Sequence, residues 1–135
     1  MKSPFLVPLV VLGLMTTAVQ VSAAQADTTP AAQAERFAAQ AGRPGDATRG
    51  QRLFTQKAGG EWSCASCHGA PPTATGEHPD TGKRIAPLAP AFNPRSFTRE
   101  AKVDKQFSRN CRDVFARECS AAEKADLTAY LLSLK

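Results

Sequence analysis

The chain has 135 residues, with 17 basic and 12 acidic side chains and a formal net charge of +5. That length holds one small domain with a modest core. So slight a positive excess suits solubility or partner docking and gives no reason to infer nucleic-acid binding.

The chain opens as an export signal. Met1-Lys2 is a short basic start, Phe5 to Val19 is mostly apolar, and Ala24-Gln25-Ala26 fits a small-residue cleavage site, with Ser22-Ala23-Ala24 as its rival. The apolar run is broken by Pro8, Gly13 and Thr16-Thr17, which disfavours a retained membrane anchor, and no other transmembrane candidate follows. Residues 1–26 are therefore expected to be a signal peptide, cleaved somewhere in 23–26, and residues 27–135 the mature domain. Cleavage removes only Lys2 among the charged residues and leaves a charge of +4. Export implies an oxidising compartment, expected to be the periplasm.

Thr29-Pro30 reads as a helix cap with proline at the first helical position, followed by the alanine-rich stretch Ala31 to Ala41, which Gly42 can stop. Asp46 looks like a second cap, leading into Arg49, Gly50, Arg52, Leu53 and Phe54. Lys57 to Ser63 is a glycine-containing approach to the motif that decides the chain, Cys64-Ala65-Ser66-Cys67-His68. Two thiols at this spacing, with an imidazole directly after the second, form the attachment site of a c-type haem. Each sulfur adds to one vinyl group, and the next side chain, His68, then lies under the iron as proximal ligand. Half a zinc site and a thioredoxin-like redox pair are the rival readings. Zinc would need Cys111 and Cys119, which are not paired at short spacing, and a redox pair belongs in a strand-to-helix unit, of which the sequence shows no strand.

Residues 69–96 carry Pro71, Pro72, Pro79, Pro87, Pro90 and Pro94, a density that predicts no regular element. A loop this long in a small domain usually has a job, and lining a cofactor is one. Thr98 is the expected cap of a helix running to about Phe115, on which Val103, Phe107, Asn110 and Val114 share a face. Ser120-Ala121-Ala122-Glu123 is a capping box, and Leu127, Tyr130, Leu131 and Leu134 form the apolar stripe of the last helix.

The second axial ligand is partly settled by subtraction. The only methionines, Met1 and Met15, leave with the signal, and the spare histidine is His78. Glu77-His78-Pro79-Asp80 reads as a polar surface turn, so a solvated loop histidine is favoured over a ligand. A lysine would first have to lose its proton. Asn110 is a polar residue on an apolar face, and a buried amide needs a partner. Ferric iron could be that partner, although the residues alone favour an amide bonded to backbone. Cys111 and Cys119 remain as an even pair in an oxidising compartment, where a disulfide is the default.

At these residues the chain, from about Thr29 to Leu134, resembles the SHP-type haem proteins and their relative cytochrome c″, variants of the class I cytochrome c fold. The resemblance rests on Cys64-Ala65-Ser66-Cys67-His68, on Thr81-Gly82-Lys83-Arg84-Ile85-Ala86-Pro87-Leu88-Ala89-Pro90, on Asn110-Cys111 with Cys119, and on Glu123-Lys124-Ala125-Asp126 through Tyr130-Leu131. It implies an all-α class I cytochrome c fold of about four helices and a proline-rich loop around one covalent haem c. Cys64 and Cys67 would hold that haem, with His68 as proximal and Asn110 as distal iron ligand, since the cytochrome c″ branch is similar but has histidine there. Cys111–Cys119 is the implied disulfide. Gly50 and Phe54 would pack the second helix against Tyr130 and Leu131, and Gly50, Phe54, Trp62, Ile85, Leu88, Phe107 and Tyr130 are the expected haem-pocket packing.

An amide oxygen is a hard, neutral, weak ligand that suits ferric better than ferrous iron. Reduction should therefore loosen Asn110 and let oxygen, nitric oxide or carbon monoxide bind. The expected function is exported electron transfer with such a redox-controlled site, not enzymatic turnover. A haem enzyme converting nitric oxide or oxygen, a gas-binding or sensory module, and a plain bis-histidine carrier using His78 are the alternatives. The implied redox partner is a dihaem cytochrome c, and a monomer is expected. Arg99, Lys102, Lys105, Arg109, Arg112 and Arg117 cluster around Asn110, either as a solvated helix face or as a docking patch for an acidic redox partner.

Overall fold

Thr29 accepts a hydrogen bond from the amide of Ala32 at 3.1 Å and so starts α1 (Pro30–Ala41), which ends where Gly42 turns left-handed at φ 66°. The computed structural model describes residues 26–135. All of the expected signal peptide except Ala26 lies outside the described residues. Asp46 caps α2 (Ala47–Thr55) by accepting from the Arg49 amide at 2.7 Å. Five residues, Cys64–His68, form the single-turn helix α3. A minimal antiparallel hairpin pairs β1 (Gly76–Glu77) with β2 (Arg84–Ile85), and α4 (Glu100–Phe115) and α5 (Ala121–Ser133) complete the order.

The all-α expectation holds, with three local corrections. The described residues carry five helices, the additional one being α3, because Ser63 and Ser66 close a capping box around the haem-type motif. The proline-rich segment does hold regular structure. Pro72, Pro79 and Pro87 fall outside β1 and β2, so no ladder hydrogen bond is lost. Thr98 does not cap α4. Its hydroxyl donates to the Arg95 carbonyl at 3.0 Å, and the amide of Glu100 is capped instead by Asp27 Oδ1 at 2.8 Å.

α5 packs along both α1 and α2. Its stripe places Leu127, Tyr130 and Leu131 in the core with Phe37 and Phe54, all at most 5% exposed. Gly50 is required at the α2–α5 crossing, where a Cβ would collide with the Asp126 carbonyl and come within 2.8 Å of Tyr130 Cβ. The Phe54 and Tyr130 ring centroids lie 5.5 Å apart. Asp126, 3% exposed, is fully partnered: Arg43 donates to it twice at 2.9 Å, Arg49 at 3.0 and 3.2 Å, and the Asp46 amide at 2.7 Å. One carboxylate thus ties α5 to the junction of α1 and α2. The Arg43 and Arg49 hydrogen bonds hold Asp126 well below the usual carboxylate range.

α4 stands further from the other helices and is tied in by side chains. Phe107 packs edge-on against Phe37 at 5.2 Å, Arg36 reaches Asp104 at 2.6 Å, and Cys111 is joined to Cys119 in a disulfide just before α5.

Candidate cofactor site

The capping box at α3 sets the site. The Ser66 amide donates to Ser63 Oγ at 3.2 Å and the Ser63 amide to Ser66 Oγ at 3.0 Å, which winds Cys64 to His68 into one turn. Three positions apart on that turn, Cys64 and Cys67 fall on the same side. Gly76 lets the hairpin seat on this turn, since a Cβ there would strike the Cys67 carbonyl and approach His68 Cα at 3.0 Å.

Cys64, Cys67 and His68 open onto a cavity of about 800 Å³. Phe54, Leu127 and Leu131 line it from the core, Ile85 from β2, and Trp62 and Leu88 from the loops. α4 forms the remaining wall, with Val103, Phe107, Asn110, Cys111 and Val114. Gly50 and Tyr130, expected in the pocket packing, do not line the cavity. They form the α2–α5 contact behind it, because the bare Gly50 backbone is already filled by α5. Phe97 does line the cavity and was not anticipated; it is buried in a left-handed conformation at φ 60°, which no apolar periodicity announces.

Burial governs the electrostatics. It pushes the Cys64 thiol up to about 11 and the Cys67 thiol upward, and it pulls the His68 imidazole below its ordinary value. A neutral imidazole is the form that ligates a metal. His68 Nδ1 is buried with no hydrogen-bond partner among the described residues.

Asn110 borders the cavity but is exposed, and its side chain makes no hydrogen bond to another described residue. The backbone-bonded amide favoured by the residues alone is therefore not what the fold builds. His78 is half-buried and borders the same cavity. The turn expected around it is the hairpin turn, where its amide donates to the Lys83 carbonyl at 2.9 Å and its Nδ1 accepts from the Asp80 amide at 3.3 Å. Cys111 and Cys119 are bonded to each other, so they do not join Cys64 and Cys67 in a four-sulfur zinc site. No helix among the described residues is long and apolar enough to cross a membrane.

A flat tetrapyrrole attached at one edge fits these residues: two adjacent thiols on one turn, a neutral imidazole with an unpartnered nitrogen, and a cavity of cofactor size with an apolar inner end at Phe54, Leu127 and Leu131 and polar residues toward solvent. The comparisons with known proteins agree. Residues 40–131 match a family described as Domain of unknown function (DUF1924). The chain is 48% identical over 109 residues to the cytochrome c-type protein SHP of Cereibacter sphaeroides, covering 78% of this chain and 84% of that protein. It is 44% identical over 82 residues to cytochrome c″ of Methylophilus methylotrophus, covering 61% of this chain and 57% of that protein. The structure of oxidised SHP, an oxygen-binding cytochrome c, superposes with a TM-score of 0.74 at 47% identity, over 79% of this chain and 98% of SHP. Oxidised cytochrome c″ superposes with a TM-score of 0.70 at 32% identity, over 77% and 93%. A chain with this motif, this helical fold and these relatives belongs to the family of SHP and cytochrome c″, and it is a cytochrome carrying one covalent haem c.

Proposed function

We propose that this cytochrome is exported to the periplasm and transfers electrons through a haem whose distal ligand, Asn110, is released on reduction so that oxygen, nitric oxide or carbon monoxide can bind. In this reading Cys64 and Cys67 form the two thioethers and His68 is the proximal ligand. When bound, the haem supplies a one-electron couple and, in its ferrous state, affinity for diatomic gases.

The chain's own residues do the rest. α3 presents the two sulfurs and His68 together, and burial keeps the imidazole neutral. Phe54, Leu127 and Leu131 exclude water from the inner end of the cavity. Asn110 would offer an amide oxygen, a hard and neutral donor that suits ferric better than ferrous iron. The observation that carries the reading is that Asn110 borders the cavity onto which His68 opens and has no hydrogen-bonding partner of its own among the described residues. SHP is described as oxygen-binding, and a solution structure of cytochrome c″ bears on haem-ligand detachment.

The test is spectroscopic. Ferric and dithionite-reduced spectra are recorded, and carbon monoxide is then added. Rapid binding only after reduction is expected, and a reduced low-spin spectrum indifferent to carbon monoxide would refute the release. His78 carries a second reading, a bis-histidine carrier, because it borders the same cavity. Asn110→Ala should change the ferric spectrum with the haem still attached, and His78→Ala should not. The reverse pattern would establish the second reading.

A further inference from the structure

The fold sorts the charges of α4. Two of its three acidic residues, Glu100 and Asp104, face α1, where Arg36 meets them at 3.7 and 2.6 Å. Lys102 and Lys105 are exposed and without an ion pair among the described residues, and Arg109, 77% exposed, has only a loose contact to Asp113 at 3.9 Å. Against these bases stand the third acid of the helix, Asp113, which is exposed, and Glu118, which pairs with Arg112, so Lys102 and Lys105 carry the uncompensated positive charge of this face.

This face also has a shape. Lys105, Ser108, Arg109, Arg112 and Asp113 surround a surface depression of about 340 Å³. Arg109 and Asp113 belong to both this depression and the cofactor cavity, so only the thickness of one helix, about 10 Å, separates them.

We infer that the outward face of α4, centred on Lys105 and Arg109, is the docking surface for an acidic protein that donates one electron to this cytochrome. The inference rests on the electron-transfer part of the reading above. Opposite charge steers the encounter and sets the register, and exposed charges act mainly on the association rate. A donor seated there sits across the helix that bears Asn110. One electron passes from the donor to the ferric haem; no bond is formed or broken in the partner.

The probe is flavodoxin hydroquinone, an acidic one-electron donor that becomes its semiquinone. Its reduction of the mature ferric holoprotein is followed by stopped flow, with the cation hexaammineruthenium(II) as comparison. The flavodoxin rate should fall about tenfold between low and high salt. Lys105→Glu, at a residue that does not line the cofactor cavity, should slow it about threefold at low salt and weaken its salt dependence. Arg52→Glu with Lys57→Glu, exposed on and just after α2, should leave it unchanged. The ruthenium rate should not fall in the α4 variant. Equal slowing with ruthenium would place the effect at the haem and overturn the docking surface, as would a flavodoxin rate that ignores α4 and responds to α2. So would tight capture of the protein by phosphatidylglycerol vesicles that the α4 variant abolishes while its flavodoxin rate is unchanged. Wild-type reduction by ruthenium reports separately whether the haem accepts an electron at all, so failure of the underlying reading is distinguishable.

Discussion

Asp27 caps a helix that begins 73 residues later, its carboxylate accepting the Glu100 amide at 2.8 Å. The amides of Asp27 and Thr28 in turn donate to the Thr98 carbonyl at 3.0 and 3.3 Å. The segment just before α1 thereby fastens the start of the helix that carries Asn110. Asp27→Ala should lower stability by about 1 kcal/mol, as for other lost caps. Thr98→Ala, whose hydroxyl serves only a local turn, should cost less. Thermal melts of the two holoproteins check the order, and a larger loss for Thr98 would contradict this capping arrangement.

Replacing Asn110 by histidine should convert a releasable site into a closed one. Imidazole binds both ferric and ferrous iron, unlike a weak amide. Carbon monoxide binding to the reduced Asn110→His protein should slow by about tenfold or more. Flash photolysis or rapid mixing measures it, and unchanged rates would mean that position 110 does not face the iron.

Gly50→Ala should destabilise the fold by about 2–3 kcal/mol, because the added methyl meets the Asp126 carbonyl and Tyr130 where neither backbone can yield cheaply. Chemical denaturation of the holoprotein measures this. A shift under about 0.5 kcal/mol would show that the crossing is looser than described.

Asp126 has a depressed carboxyl pKa, first through its hydrogen bonds from Arg43, then through those from Arg49 and the Asp46 amide. Its contribution to stability is therefore fully present above the unfolded value near pH 4 and is lost as pH falls toward the lower folded value. Asp126→Asn should be less stable at pH 7 by about 2–3 kcal/mol, at or below the low end for a broken buried pair because both arginines remain partly solvated. The gap between variant and wild type should narrow below pH 4. Denaturation midpoints measured from pH 7 to pH 2.5 would decide it, and a constant gap would exclude the ionised carboxylate as the cause.

Cys111 and Cys119 are eight residues apart, so their bond closes a short loop. Loop-closure entropy then predicts about 2–3 kcal/mol lost in the Cys111→Ser, Cys119→Ser protein. Because Asn110 immediately precedes Cys111, the ferric spectrum of this variant should also broaden or shift. A large stability loss with an untouched spectrum would limit the bond to a purely structural role.

Much of this architecture was legible before any coordinates. Local signals act within one turn of backbone, so Thr29-Pro30, Asp46 and the Ser120/Glu123 box marked three helix starts correctly. The spacing of Cys64, Cys67 and His68 is itself the chemical requirement of haem attachment. The misses share a cause. The cap of α4 comes from Asp27, far away in sequence, while the nearer Thr98 looked adequate. The convergence of Arg43 and Arg49 on Asp126 spans 83 and 77 residues of chain, beyond the reach of any local pattern. Phe97 enters the cavity through a left-handed backbone that no pattern encodes.

Composition, spacing and capping chemistry by themselves determined that this is a helical cytochrome c-type chain with one cofactor motif and no methionine after Met15, because each of those properties is set by residues close together in the chain. Only the tertiary structure decided which walls the cavity has, that Gly50 and Tyr130 stand behind it, that both Asn110 and His78 border it, and that Glu100 and Asp104 of α4 pair with Arg36 of α1. Those outcomes depend on which distant side chains come into contact, and such contacts are fixed by the packing of α1, α2 and α5 against one another and by the side-chain ties that hold α4.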